Sequence, residues 1–167
     1  MLKKYLTLFV LGLCSFSSAQ NIMSNGNMEY GDGGWYLWNK PEGPAKVEFK
    51  IAEPKIGVDG SQGAVVVIKE PPHIWWGLQI QPPKFLTDSA YYTLSFKAKG
   101  DILVIAIVQG GPPDYRQKES SVIQLTKDWK TYTMTFLADQ KGYGLNNVSF
   151  LIGHQKGTLW LDDVEVK

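Results

Sequence analysis

Most of the chain alternates between apolar and polar residues with period two, the pattern of strands buried on one face. Lys46-Val47-Glu48-Phe49-Lys50-Ile51 is a clean case. Tyr91-Tyr92-Thr93-Leu94-Ser95-Phe96-Lys97-Ala98 places Tyr92, Leu94, Phe96 and Ala98 on one side, and Thr131-Tyr132-Thr133-Met134-Thr135-Phe136 repeats the pattern with threonines opposite. Residues 63–68 and 102–108 are apolar at nearly every position, which predicts central strands covered on both faces. Residues 121–125, 148–152 and 159–166 complete the set. Turn signals punctuate it at Asp59-Gly60, Pro71-Pro72, Pro82-Pro83, Gly110-Gly111-Pro112-Pro113 and Lys141-Gly142-Tyr143-Gly144. No stretch has the apolar spacing of an amphipathic helix, and no repeat is visible. About nine or ten strands at this spacing predict an all-β sandwich or barrel, formed as one domain over residues 20–167.

Residues 1–19 read differently. Lys3 and Lys4 precede an apolar run from Tyr5 to Leu13, and Ser17-Ser18-Ala19 supplies the small residues of a signal-peptidase site, with the cut before Gln20. The run is too short to span a bilayer as a helix. Attachment of lipid at Cys14 is the alternative, but Leu13 is a poor fit for the small residue expected before such a cysteine. Soluble export, extracellular or periplasmic, is the expectation. Of 17 Lys+Arg and 16 Asp+Glu, the leader takes Lys3 and Lys4, leaving 15 basic against 16 acidic residues. A net charge near −1 with no basic patch argues against nucleic acid or anionic lipid as a partner. Cys14 is the only cysteine, so the mature chain has no disulfide, no thiolate chemistry and no Cys-based zinc site. Its stability must come from its core, or from a metal clamping its ends. Aromatic residues make up 13% of the chain, with six tryptophans, more than a small core needs, so some rings are expected to face outward.

Three motifs in order resemble a known family. Asn25-Gly26-Asn27-Met28-Glu29, followed by Gly34-Trp35, resembles the opening of carbohydrate-binding modules of the family 4/9/22 type. Leu86 through Tyr92-Thr93-Leu94-Ser95-Phe96-Lys97-Ala98 resembles their central strand, and Leu161-Asp162-Asp163-Val164-Glu165-Val166 resembles their closing strand. The resemblance implies a jelly-roll of two antiparallel sheets, with a glycan lying across the concave one. It implies non-catalytic binding of single chains of xylan, β-glucan or non-crystalline cellulose. Such modules are usually joined to a glycoside hydrolase. This sequence contains no such domain, so its expected partners are a polysaccharide chain and a separate hydrolase acting on the same polymer, with the module itself a monomer. The resemblance also implies a structural Ca²⁺ tying the first strand to the last. Its side-chain ligands would be Glu29 and Asp162, completed by main-chain oxygens near Asn27 and Gly63. An oxygen-only set suits calcium rather than zinc or copper.

Sugar rings present axial C–H groups that stack on aromatic planes and hydroxyls that need hydrogen-bond partners, so a glycan groove wants Trp or Tyr beside amides. Trp75-Trp76-Gly77-Leu78-Gln79-Ile80-Gln81 has that character. Read as one strand, it puts Trp75, Gln79 and Gln81 on one face and Trp76, Leu78 and Ile80 on the other, so one of the two tryptophans is expected in the core. The amide-bearing face, with Trp75, is the favoured outer one, although a groove contact in the family can fall on the Ile80 parity. Trp38, Gln109, Tyr115, Arg116 and Asn147 fall where the family places contacts, with Ser149 alternating beyond Asn147. Trp35 and Trp160 are expected in the core. His73 and His154 lack metal-ligand spacing. Glu70, Asp101, Asp114 and Glu119 sit in no recognisable pair of catalytic carboxylates, and Ser120-Ser121 lacks a nucleophile elbow. A non-catalytic binding module is therefore the reading, with a small jelly-roll glycan hydrolase or lyase, or a surface protein-interaction module, as the alternatives.

Overall fold

The period-two segments form eleven strands, in a computed structural model that describes residues 20–110, 116–138 and 145–167. They are β1 (Tyr36–Asn39), β2 (Lys46–Glu53), β3 (Gly63–Glu70), β4 (Leu78–Gln81), β5 (Phe85–Leu86), β6 (Tyr91–Gly100), β7 (Leu103–Gly110), β8 (Gln117–Gln124), β9 (Lys130–Leu137), β10 (Leu145–Leu151) and β11 (Gly157–Val166). The count exceeds the expected nine or ten because β1 and the two-residue β5 are too short to show a period. The first sheet has the order β1-β4-β10-β7-β8, with β5 paired to β10; the second has the order β2-β3-β11-β6-β9. Every pairing is antiparallel. The architecture is the expected sandwich of two antiparallel sheets. Among the described residues no helix is long and apolar enough to cross a membrane.

The core lies between the sheets. Leu94, Phe96 and Ala98 of β6, Met134 and Phe136 of β9, and Leu159 and Leu161 of β11 face Leu78 and Ile80 of β4, Val104, Ala106 and Val108 of β7, and Val148 and Phe150 of β10. Phe96 bridges the two layers: its ring meets Phe150 edge-on at 4.9 Å and stacks on Tyr132 at 5.6 Å. Two expectations are corrected here. β7 is not covered on both faces, because Leu103, Ile105, Ile107 and Gln109 alternate with the core residues and lie half-buried on the outer side of the first sheet. Trp160 is not in the core, because β11 spends the parity of Leu159 and Leu161 on the interior and turns Trp160 outward.

The closing strand is held on both flanks. Ile22 N–H donates to the Val166 carbonyl at 2.9 Å, Val164 N–H donates to the Gly26 carbonyl at 2.9 Å, and Asn21 Oδ1 accepts from Val166 N–H at 2.9 Å. A Cβ on Gly26 would sit 1.8 Å from the Val164 carbonyl oxygen, so only glycine lets the N-terminal segment approach this closely. Asp162 and Asp163 form a bulge with Asp163 at φ +48°, which returns Val164 and Val166 to the core parity of Leu161.

Replacing Phe96 by Ala removes the ring that joins the sheets. The expected cost is about 3–5 kcal/mol, read as a lower urea midpoint at unchanged slope.

Candidate functional site

The outer face of the first sheet is assembled by register. Tyr36 pairs with Gln81 and Trp38 with Gln79 between β1 and β4, and Asn147 pairs with Gln109 between β10 and β7. Because Leu37, Ile80, Val148 and Val108 take the core side, the alternate residues converge outside. Tyr36, Trp38, Gln79, Gln81, Lys84, Gln109 and Asn147 line a depression with a cavity volume of about 310 Å³.

Its polar groups are aligned by a one-way chain of hydrogen bonds. The Tyr36 hydroxyl donates to Gln81 Oε1, Gln81 Nε2 donates to Gln79 Oε1 at 2.8 Å, and Gln79 Nε2 donates to the Trp76 carbonyl at 2.9 Å. Farther in, Asn147 Nδ2 donates to Ser149 Oγ at 3.3 Å. Asn147 is 4% exposed, and its Oδ1 is buried without a hydrogen-bond partner among the described residues.

Trp75 and Trp76 depart from the expected alternation. They belong to a 3₁₀ turn, Trp75–Gly77, that precedes β4, so strand parity does not reach them. Neither is in the core: Trp75 is 45% exposed and Trp76 38%. Trp76, not Trp75, leans toward the groove, stacking on Trp38 at 5.9 Å with planes 7° apart while Lys40 Nζ lies 5.3 Å over its ring. Trp75 stacks instead on His154 at 4.9 Å. Gln79 and Gln81 do face outward, opposite Leu78 and Ile80. Trp35 is buried, its indole N–H donating to the Asn25 carbonyl at 2.9 Å. Arg116 is exposed, and its carbonyl accepts from Gly110 N–H at 2.9 Å. Tyr115 and Asp114 lie outside the described residues, as does Cys14 with the rest of residues 1–19.

The expected metal corner is a separate place. The Asp162 carboxylate is 1% exposed; its Oδ2 accepts from Val58 N–H and the Ser61 hydroxyl, both at 2.8 Å, and its Oδ1 accepts from Asp163 N–H at 2.7 Å. It thereby ties β11 to the turn before β3. Glu29 Oε1 accepts from Gln62 N–H at 2.8 Å. The Gln62 amide lies 3.0 Å from the Ala52 carbonyl and 3.1 Å from the Met28 carbonyl, and donates to both with its NH₂ turned toward them. Asn27 Oδ1 accepts from Glu29 N–H at 3.5 Å, and Gly63 opens β3. The oxygens that gather near Glu29 are the Met28 and Ala52 carbonyls and the Gln62 side chain. Among the described residues no group of three or more His, Cys, Asp or Glu could hold a metal. A set of one carboxylate, one amide and two main-chain oxygens fits a hard cation such as calcium and no softer metal.

The carbohydrate binding domain model of the CBM_4_9 family matches residues 20–151, well over half of the sequence. The chain belongs to this carbohydrate binding domain family. No curated protein sequence matches it significantly. A solved CBM4 structure superposes with a TM-score of 0.70 at 22% identity, covering 87% of this chain and 98% of that one. The N-terminal cellulose-binding domain of Cellulomonas fimi β-1,4-glucanase C gives 0.57 at 21%, covering 89% and 97%. A Stig cyclase from Fischerella gives 0.62 at 15%, covering 89% and 97%. These likenesses establish a shared fold, and the cyclase illustrates that the fold alone does not define an activity. Within this carbohydrate binding domain, the matched residues contain the whole groove, while β11, with Asp162 and Trp160, lies beyond them.

Sequence reasoning missed Tyr36, Lys40, Lys84 and Gln62. Tyr36 had a signal, since it shares the parity of Trp38 two residues on. Lys84, after Pro82-Pro83, had none.

Burial pushes the Asp162 carboxyl above its ordinary 3.8, against the opposing pull of the Val58 N–H, the Ser61 hydroxyl and the Asp163 N–H. A carboxyl raised in the fold holds its proton more tightly there, so its contribution to stability is complete below 3.8 and is lost as pH rises through the folded value. Asn at this position does not titrate. In EDTA, the stability of the wild type relative to Asp162→Asn is therefore expected to fall as pH rises from about 3 to about 7, measured by urea denaturation. A constant difference would remove the assignment.

Proposed function

We propose that this carbohydrate binding domain holds a single polysaccharide chain in the groove of the first sheet without cleaving it. The observation that carries the reading is the buried, unpartnered Asn147 Oδ1 among the groove residues. A buried acceptor without a donor costs about 1–3 kcal/mol, and a sugar hydroxyl supplies that donor. The surrounding groups match the rest of a sugar. Trp38, on which Trp76 stacks, offers a plane for a C–H face. Gln79, Gln81, Gln109 and Tyr36 offer neutral donors and acceptors, and no carboxylate is among the lining residues. A neutral β-linked chain, xylan, β-glucan or non-crystalline cellulose, suits such a lining. Two carboxylates facing each other across a cleft, which glycoside hydrolysis needs, have no counterpart there. The module is proposed to be exported by residues 1–19 and to concentrate a glycoside hydrolase on its polymer.

Affinity electrophoresis in xylan, mixed-linkage glucan and hydroxyethylcellulose gels tests the groove. Wild-type protein should be retarded in at least one gel. Trp38→Ala and Asn147→Ala should each weaken binding about tenfold or more, equivalent to about 1.4 kcal/mol, while remaining folded. Free migration of the wild type in all three gels would refute the reading.

Calcium is proposed for the corner at Glu29, with the Gln62 amide oxygen turned inward beside the Met28 and Ala52 carbonyls. Ca²⁺ at about 100 times its dissociation constant adds about 2.7 kcal/mol, and for a chain of this size that raises Tm by roughly 5–10 °C over EDTA. Glu29→Gln should flatten this response. An equal Tm with Ca²⁺ and with EDTA in the wild type would exclude the site.

A further inference from the structure

The second sheet carries an aromatic site of its own on the side facing away from the core. Register sets Trp160 of β11 beside Lys99 of β6 on one side and Val65 of β3 on the other. Trp129 precedes β9, whose Lys130 pairs with Ala98. Lys99 Nζ lies 5.0 Å from the Trp129 ring centre and 5.4 Å from that of Trp160, so one ammonium is shared by two indoles. Beside this row, Lys99, Gly100, Asp101, Lys127, Thr158 and Trp160 enclose a depression of about 250 Å³.

The rim is fixed by the backbone. Asp101 N–H donates to the Thr158 carbonyl at 3.2 Å, Asp101 Oδ1 accepts from Thr158 N–H at 2.6 Å, and the Asp101 carbonyl accepts from Gln155 Nε2 at 3.0 Å. One Asp101 carboxylate oxygen is thus committed to the main chain, while two lysines, Lys99 and Lys127, line the same depression. Neither Lys99 nor Lys127 is ion-paired among the described residues. Contact with an indole face leaves a lysine ammonium with N–H donors to spare.

We propose that this depression is a second glycan site, selective for an anionic sugar. The pyranose ring of a uronic acid residue stacks on Trp160, and its carboxylate is taken by Lys99 and Lys127. The two sites differ in how their charge is arranged. The groove of the first sheet joins amides, a phenol and an indole to a single lysine, Lys84, whereas this depression sets two lysines beside an indole, with the one carboxylate, Asp101, bonded through Oδ1 to the Thr158 N–H. An indole supplies a stacking plane for either kind of sugar. Two unpaired cations discriminate between them, because only the ionised sugar returns their charge. The site lies on the other sheet, so its fate is separable from that of the groove.

The test uses the whole chain and a tetragalacturonate probe, compared with its neutral methyl ester, followed by the indole N–H resonances in ¹H–¹⁵N NMR. The acid should shift Trp160 and Trp129 and leave Trp38 and Trp76 in place. The methyl ester should bind at least tenfold more weakly, and 0.5 M NaCl should weaken the acid at least several-fold. Lys127→Glu, an exposed change that leaves the core untouched, should reduce affinity at least tenfold, as should Trp160→Ala. Trp38→Ala should not change it. Shifts confined to Trp38 and Trp76, equal binding of acid and ester, or no shift at Trp160 with millimolar probe would each overturn the proposal. None of these outcomes would alter whether Trp38→Ala weakens binding of a neutral glucan.

Discussion

Each strand of the first sheet must give one parity to the interior, and everything its outer face offers depends on that commitment. Ile80, Val108, Val148 and Phe150 are each fully buried, and together they hold β4, β7 and β10 to one register. Once they are placed, Gln79 has to lie beside Trp38, and Asn147 beside Gln109. A slip of one residue in any of these ladders would carry the amides into the core and the aliphatic side chains to the surface. The apolar contacts therefore specify the position of polar groups they do not touch.

The ladder alone does not complete the groove. Trp76 stands before β4 in a turn, and two contacts bring its ring over Trp38: the stack itself, and the hydrogen bond from Gln79 to its carbonyl. That bond also fixes the sense of the amides. With Gln79 Nε2 directed at a carbonyl, its Oε1 is free to accept from Gln81, whose own Oε1 then accepts from Tyr36. A turn residue thus sets donor and acceptor orientation across two strands.

What the sequence made legible follows from the same period. Alternation located the long strands and the sandwich class, and it placed Gln79 and Gln81 opposite Leu78 and Ile80. It failed where the backbone leaves that period. The turn at Trp75–Gly77 cancels the parity that seemed to send one tryptophan inward. For Trp160 the miss was a matter of weighting, since its neighbours Leu159 and Leu161 already claim the core side. The oxygens beside Glu29 were hidden for a different reason. Met28 and Ala52, at φ +57° and +52°, adopt a left-handed backbone that neither residue type announces. The acidic residues Glu29 and Asp162 were visible by type, but the hydrogen bonds that occupy Asp162 come from a turn about a hundred residues earlier in sequence.

Preorganisation links these features to the proposed binding. The Gln79–Gln81–Tyr36 chain has its rotamers tied to main chain before any ligand arrives, so less side-chain ordering is charged against association. Asn147 works in the opposite sense. Its Nδ2 is held by Ser149, which orients the amide, but its Oδ1 has no donor among the described residues, and an acceptor so left costs about 1–3 kcal/mol. A hydroxyl that reaches it relieves that cost on binding. A ligand that fits the rings but lacks the hydroxyl stacks without relieving it. The rings of such a site favour carbohydrate in general, and on the proposed reading discrimination among carbohydrates rests on Asn147 Oδ1, the groove acceptor without a partner among the described residues.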